Sequence, residues 1–159
     1  MAIVCTRLLE QSSATNRFHQ SSSRPRPTTA KFHGIAYRFP SVFPISSVSP
    51  SRAFYWLDAR DPKRARELAK ALYRAYFVDD VDISSADNTV AVCAKFGLAA
   101  DEVRAGIGDQ AVKDRTRAEV EKAIALGAFG SPYIIVDGES FWGSDRLDQI
   151  DKWLATGGW

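Results

Sequence analysis

The stretch GAFGSPYIIVDGESFWG, residues 127–143, decides the fold. Its centre, residues 133–136, reads Tyr-Ile-Ile-Val, and such a run of β-branched and aromatic residues is typical of a buried strand. Asp137-Gly138 is the favoured two-residue turn of a β-hairpin. Residues 139–142 are therefore predicted to form the returning strand.

A last helix follows this hairpin. Gly143 breaks the second strand, and Ser144 or Asp145 is predicted to cap the helix. A further helix is expected to end at Gly127, so the order is helix, strand, turn, strand, helix, the second half of a thioredoxin-like α/β fold. The last helix is predicted to turn four apolar residues inward: Leu147, Ile150, Trp153 and Leu154.

The middle of the chain is predicted to be entirely helical. Asp61-Pro62 combines a capping residue with proline at the first helical position, and an apolar stripe runs along the helix that follows. Cys93 lies on an apolar helix face, which indicates an inert core thiol. The five predicted helices begin near Ser49-Pro50, at Asp61-Pro62, at Ser84 or Ser85 (ending at Gly97), over residues 101–107, and at Asp109 (ending at Gly127).

The first 34 residues differ in composition from the rest. They carry five basic residues and one acid, and residues 21–29 are typical of a disordered linker. This basic, Ser-rich tail has three possible interpretations: a disordered extension, residues translated from a misplaced start, or an organelle transit peptide. We expect a cytoplasmic protein, with the transit peptide as the alternative.

Overall composition excludes several classes of protein. The 21 Lys and Arg against 19 Asp and Glu give a net charge of +2, which argues against a nucleic-acid partner. No run approaches the roughly 18 apolar residues of a membrane span. Two cysteines, Cys5 and Cys93, form neither a CxxC pair nor a zinc site, and His19 and His33 have no partners at metal spacing. No metal site is expected.

Three motifs together resemble the carboxyl-terminal part of 2-hydroxychromene-2-carboxylate isomerases. They are the G-x-P sequence of residues 130–132 followed by a strand, the Asp137-Gly138 hairpin, and the G-x-D-R sequence of residues 143–146. That family belongs to the DsbA-like thioredoxin superfamily and is close to the kappa-class glutathione transferases. Residues 43–45, 52–53, 71–77 and 109–127 resemble its helical insertion. The resemblance covers about residues 34–154 and implies a glutathione-dependent isomerase acting on a small aromatic substrate.

The resemblance also implies a glutathione site. It implies that the peptide bond before Pro132 is cis. It also implies that the main chain of Ser131 pairs with the cysteinyl part of glutathione. Ser144 and Asp145 then hold the carboxylate and the ammonium of the γ-glutamyl group, at a helix N-terminus. An ordinary trans proline and a simple helix cap are the alternatives from the residues alone.

Aromatic side chains beside this site are candidates for a substrate wall. Tyr133 and Trp142, with Phe141, would line a pocket for an aryl group, and plain core or rim positions are the alternative. No catalytic residue is identified, because the family's Ser-Pro-Tyr-like motif after a first strand is not found in this sequence.

The missing motif leads to a prediction of a partial domain. The tail, residues 1–33, supplies no βαβ unit, so a thioredoxin-like domain over residues 34–156 would hold only the helical insertion (50–127) and the β-β-α end (131–155). Exposed apolar surface and a homodimer are expected consequences. A kappa-like transferase, a DsbA-like oxidoreductase and a non-catalytic glutathione- or peptide-binding fragment are the alternative functions.

Overall fold

The structure is a computed structural model and describes residues 27–159, so the predictions for residues 1–26 lie outside it. Its elements confirm the predicted order of helices followed by a hairpin and a last helix. They are α1 (Pro27–Phe32), α2 (Val48–Asp58), α3 (Pro62–Phe77), α4 (Ala86–Lys95), α5 (Ala100–Gly108), α6 (Gln110–Ala125), β1 (Tyr133–Val136), β2 (Glu139–Trp142), a 3-10 turn (Ser144–Arg146) and α7 (Leu147–Thr156).

The described chain divides into two compact units at residue 117. One unit holds α1 to α5 and the beginning of α6, and the other holds the rest of α6, the hairpin and α7. Helix α1 begins at Pro27, where the sequence predicted linker up to residue 29. Proline is well suited to the first position of a helix, which explains why the Pro-rich composition misled the prediction.

The helical unit is built around α3. The Asp61 carboxylate accepts hydrogen bonds from the backbone N–H groups of Lys63 and Arg64, as the sequence predicted. Leu68 is completely buried on the apolar stripe of α3. The core around it includes Trp56, Leu57, Leu72, Tyr76, Val90, Cys93, Val103 and Ile107.

The other predicted helix starts are confirmed with one correction. Ser85 accepts a hydrogen bond from the N–H of Asn88, and Asp109 accepts one from Val112. Helix α2 was expected to begin after Ser49, but it begins at Val48, and its N-cap residue makes no side-chain hydrogen bond. Proline fits anywhere in the first turn, so Pro50 did not fix the boundary.

The hairpin has the predicted turn. Tyr133 pairs with Trp142 across the two antiparallel strands. Asp137 (φ 52°) and Gly138 (φ 89°) both adopt the left-handed conformation that a two-residue hairpin turn requires.

The prediction of a buried strand is wrong. Ile135 is 39% exposed, and Phe141 is the one buried residue of the two strands. The sheet of the described residues contains only β1 and β2, so β1 lacks the neighbours that would cover it. Apolar surface is therefore exposed at this hairpin.

Helix α7 is less buried than the sequence predicted. Ile150 is buried and Trp153 is half-buried, but Leu147 and Leu154 are 51% and 64% exposed. A two-stranded hairpin covers only part of an apolar stripe. Among residues 27–159, no helix has the length and apolar character that a bilayer span requires.

Replacing Asp61 by Ala should lower the free energy of unfolding by about 1 kcal/mol, because the first turn of α3 loses the acceptor for two N–H groups. Urea denaturation measures the change. Asp151→Ala, which removes the same charge from within α7, is the matched control. Equal effects of the two substitutions would contradict the capping role.

Candidate functional site

The loop before β1 holds the first two residues of the predicted site. The Ser131–Pro132 peptide bond is cis, which confirms the predicted isomer. The N–H of Gly143 donates to the carbonyl oxygen of Pro132 at 3.0 Å, one step beyond the Tyr133–Trp142 pair. This bond places Ser131 and Pro132 beside the segment that begins with Gly143.

That segment is a 3-10 turn and not the first turn of the last helix. Helix α7 begins at Leu147 and has no side-chain cap, so the predicted cap by Ser144 or Asp145 is wrong. Gly143 adopts φ 105°, and the Asp145 carboxylate folds back over it: a Cβ added there would lie 2.3 Å from Oδ1. At this positive φ a residue with a side chain would be strained, so the position favours glycine.

The polar groups of this segment face solvent. The Asp145 side chain is 75% exposed, and its Oδ2 lies 3.7 Å from Nε of Arg146. Ser144 and Ser131 are exposed as well. Within the described residues, no hydrogen bond uses the main-chain N–H or C=O of Ser131. A carboxylate can bind an ammonium group, a hydroxyl can donate to a carboxylate, and a main chain without hydrogen-bond partners can pair with a peptide group.

The aromatic residues of the predicted wall lie on two faces of the hairpin. Tyr133 and Trp142 share one face as a cross-strand pair. Phe129 joins them, with its ring centroid 5.6 Å from that of Tyr133 and 4.9 Å from that of Trp142. Phe141 is buried on the opposite face, 5.9 Å from Trp153, so its predicted place in the wall is wrong.

Phe129 was missed in the sequence because it precedes the strand and belongs to no periodic pattern. Its position two residues before Ser131 was the available signal. Gly130 leaves room for the Trp142 ring, because a Cβ at residue 130 would overlap Nε1 of the indole. The indole therefore packs directly on the backbone of the loop that carries Ser131.

Cys93 lies outside this site. Its thiol is fully buried in the helical unit, and burial raises its pKa to about 11. A buried thiol that stays protonated at neutral pH is neither a nucleophile nor a redox centre. The described residues contain no group of three metal-ligating side chains.

Gly130→Ala should displace the Trp142 indole and destabilise the chain by about 1–3 kcal/mol, because the new methyl group overlaps Nε1. The tryptophan fluorescence emission of the protein, compared with that of the same substitution in a Trp142→Phe background, and thermal unfolding report the change. Gly108→Ala is the control, since a Cβ at residue 108 meets nothing within 4 Å. An unchanged emission spectrum would contradict the packing of Trp142 on this loop.

In a Cys5→Ser background, Cys93 should react with Ellman's reagent at pH 7 at least about 100-fold more slowly in the folded protein than in urea. A thiol with a pKa of about 11 has roughly that much less thiolate than an unfolded cysteine. Fast labelling of the folded protein would show that the thiol is accessible.

Comparisons with known proteins identify the family of the chain. Residues 26–155 match the model of the DsbA-like thioredoxin domain. The chain is 30% identical over 119 residues to 2-hydroxychromene-2-carboxylate isomerase of Sphingobium xenophagum, covering 74% of this chain and 60% of that protein. It is 27% identical over 139 residues to glutathione S-transferase kappa 2 of Caenorhabditis elegans, covering 80% of this chain and 62% of that protein.

A comparison with solved structures shows a shared fold. A solved structure of 2-hydroxychromene-2-carboxylate isomerase superposes with a TM-score of 0.67 at 19% identity, covering 81% of this chain and 62% of that one. The chain thus spans about 60% of the length of these relatives. With a domain model matched over most of its length, the chain belongs to the DsbA-like thioredoxin family, alongside isomerases and kappa-class transferases.

Proposed function

We propose that the loop of Ser131 and Pro132 and the turn of Ser144 and Asp145 bind glutathione. The observation that carries the proposal is the hydrogen bond from Gly143 to Pro132, which holds the two segments side by side. Two relatives named as an isomerase and a kappa-class glutathione transferase support it. The proposed activity is the glutathione-dependent isomerisation of aromatic intermediates that resemble 2-hydroxychromene-2-carboxylate.

Each residue has a separate part in this proposal. Ser131 pairs through its exposed main chain with the peptide of glutathione, as an added strand would. Asp145 holds the ammonium of the γ-glutamyl group, and the Ser144 hydroxyl donates to its carboxylate. Arg146 forms a long ion pair with Asp145, with 3.7 Å between Nε and Oδ2, and this contact orients the Asp145 carboxylate before glutathione binds.

The aromatic face beside Pro132 is proposed to orient the substrate. Tyr133 and Trp142, with Phe129 against both, offer partly exposed rings on which a planar aryl group can stack. Bound glutathione supplies the thiol that adds to the substrate and leaves again after rotation about a carbon–carbon bond. The residues of this chain bind and orient both molecules.

A second candidate is glutathione or peptide binding without turnover. It is favoured by the main chain of Ser131, whose N–H and C=O have no hydrogen-bond partner among the described residues and can pair with a peptide without any catalytic group. Dithiol oxidoreduction is disfavoured, because the Cys93 thiol is buried and has a raised pKa. A cytoplasmic location and a homodimer remain predictions.

Asp145→Asn should weaken glutathione binding about tenfold, because a charge-assisted hydrogen bond to the ammonium is lost. Isothermal titration calorimetry with glutathione measures the affinity. Asp148→Asn removes the same charge three residues later, within the first turn of α7, and should leave the affinity within about twofold. Equal affinities of the two variants, or no binding by the parent chain, would contradict the proposed site.

Isomerase turnover separates the two candidates. Binding of glutathione with turnover of 2-hydroxychromene-2-carboxylate supports the enzyme, and binding without turnover supports the binding module. Transfer of glutathione to an aryl halide would instead assign a kappa-like transferase. A version of the protein extended upstream in its gene is the comparison that shows whether further residues restore activity.

A further inference from the structure

An open groove of about 400 Å³ follows the outer edge of β2. All four β2 residues line it, and within the described chain no β1 residue does. The four residues proposed to bind glutathione, Ser131, Pro132, Ser144 and Asp145, do not line the groove. Its other wall comes from the 3-10 turn, α7 and the carboxyl terminus: Arg146, Gln149, Trp153 and Trp159.

The strand side of the groove is an open sheet edge. In the described residues β2 pairs with β1 alone, so its other edge carries N–H and C=O groups without a strand partner. Glu139, Ser140 and Trp142 are exposed there. An open edge of this kind is a template for an additional strand.

The helix side of the groove is held firmly against the hairpin. Trp153 of α7 donates from Nε1 to Oδ2 of Asp137 at 3.2 Å and makes an edge-to-face contact with Phe141. Trp159 packs on Trp153 with ring centroids 4.9 Å apart and is itself 70% exposed. A strand edge facing a fixed helix is the arrangement that accepts an extended peptide by β-strand addition.

The side chains along the groove give the partner its chemistry. Aromatic rings line the middle, while Glu139 lies at the hairpin end and Arg146 beyond the other end of β2. Arg146 is also 3.7 Å from Asp145, but this long, exposed contact leaves guanidinium N–H groups for another acceptor. A strand antiparallel to β2 would place its first residues near Arg146 and its last near Glu139.

We propose that this groove binds an extended segment of a partner protein that adds to β2 as an antiparallel strand. The segment has an acidic residue at its amino end, apolar and aromatic residues in the middle and a basic residue at its carboxyl end. The acid pairs with Arg146 and the base with Glu139. The groove shares Trp142 and Arg146 with the neighbourhood of the proposed glutathione site but contains none of the four residues proposed to bind glutathione, so either proposal can fail alone.

The probe is the peptide acetyl-Glu-Val-Tyr-Val-Lys-amide, titrated by calorimetry and by tryptophan fluorescence. Three of the four tryptophans, Trp142, Trp153 and Trp159, line the groove, whereas Trp56 lies in the helical core. We expect saturable binding, unchanged by glutathione at saturation. The same peptide with N-methylated valines should not bind, because it cannot pair with the strand edge. Equal binding of both peptides would overturn strand addition.

Exchanging the charged residues, first on the peptide and then on the protein, tests the charge assignment. The parent chain should bind the probe about tenfold more tightly than acetyl-Lys-Val-Tyr-Val-Glu-amide, and the double variant E139K/R146E should reverse that preference. A double variant that keeps the parent preference would overturn the charge assignment. Both substitutions are at exposed positions, and circular dichroism checks the fold.

A second copy of this chain is the competing occupant of the groove. Sedimentation velocity over a range of concentrations measures the oligomeric state. A monomer that binds the probe supports the proposal. A dimer that E139K/R146E dissociates, with no binding of the probe by the monomer, would assign the edge to self-association and overturn the proposed partner.

Discussion

The candidate site depends on one hydrogen bond, from the N–H of Gly143 to the carbonyl oxygen of Pro132. This bond continues the β1–β2 ladder past its last pair and joins two loops that the strands separate. A shift of one residue in the pairing would remove the bond and move Tyr133 and Trp142 to opposite faces. The register, and with it the site, is set by the turn at Asp137 and Gly138.

The same turn also positions the last helix. Asp137 tolerates a positive φ, as aspartate does more readily than most residues, and its carboxylate accepts the indole N–H of Trp153. An isolated two-stranded hairpin is marginal in water. Here the contacts of Phe141 with Trp153, and of Phe129 with Trp142, cover part of both faces of the hairpin.

The sequence predicts those features whose physics is local. Asp61-Pro62 and Asp137-Gly138 each specify a cap or a turn within a few residues, and both are found as predicted. Burial of residues 133–136 failed as a prediction because it depends on strands outside the pair. Ser144 has the right chemistry for a cap, yet Gly143 and the 3-10 turn shift the helix start to Leu147. The packing of Trp142 on Gly130 is a contact across the hairpin loop that no local pattern encodes.

Trp142 connects the two proposed binding sites. One part of its indole packs against Gly130, in the loop that carries Ser131, and the residue also lines the groove along β2. A ligand that moves this ring when it binds at one site changes the binding free energy of the ligand at the other site. Such coupling is reciprocal by thermodynamic linkage, so a peptide and glutathione that both leave the ring in place bind independently. Because Gly143 follows Trp142 directly and bonds to Pro132, the backbone that carries the ring stays in place as long as the ladder is intact.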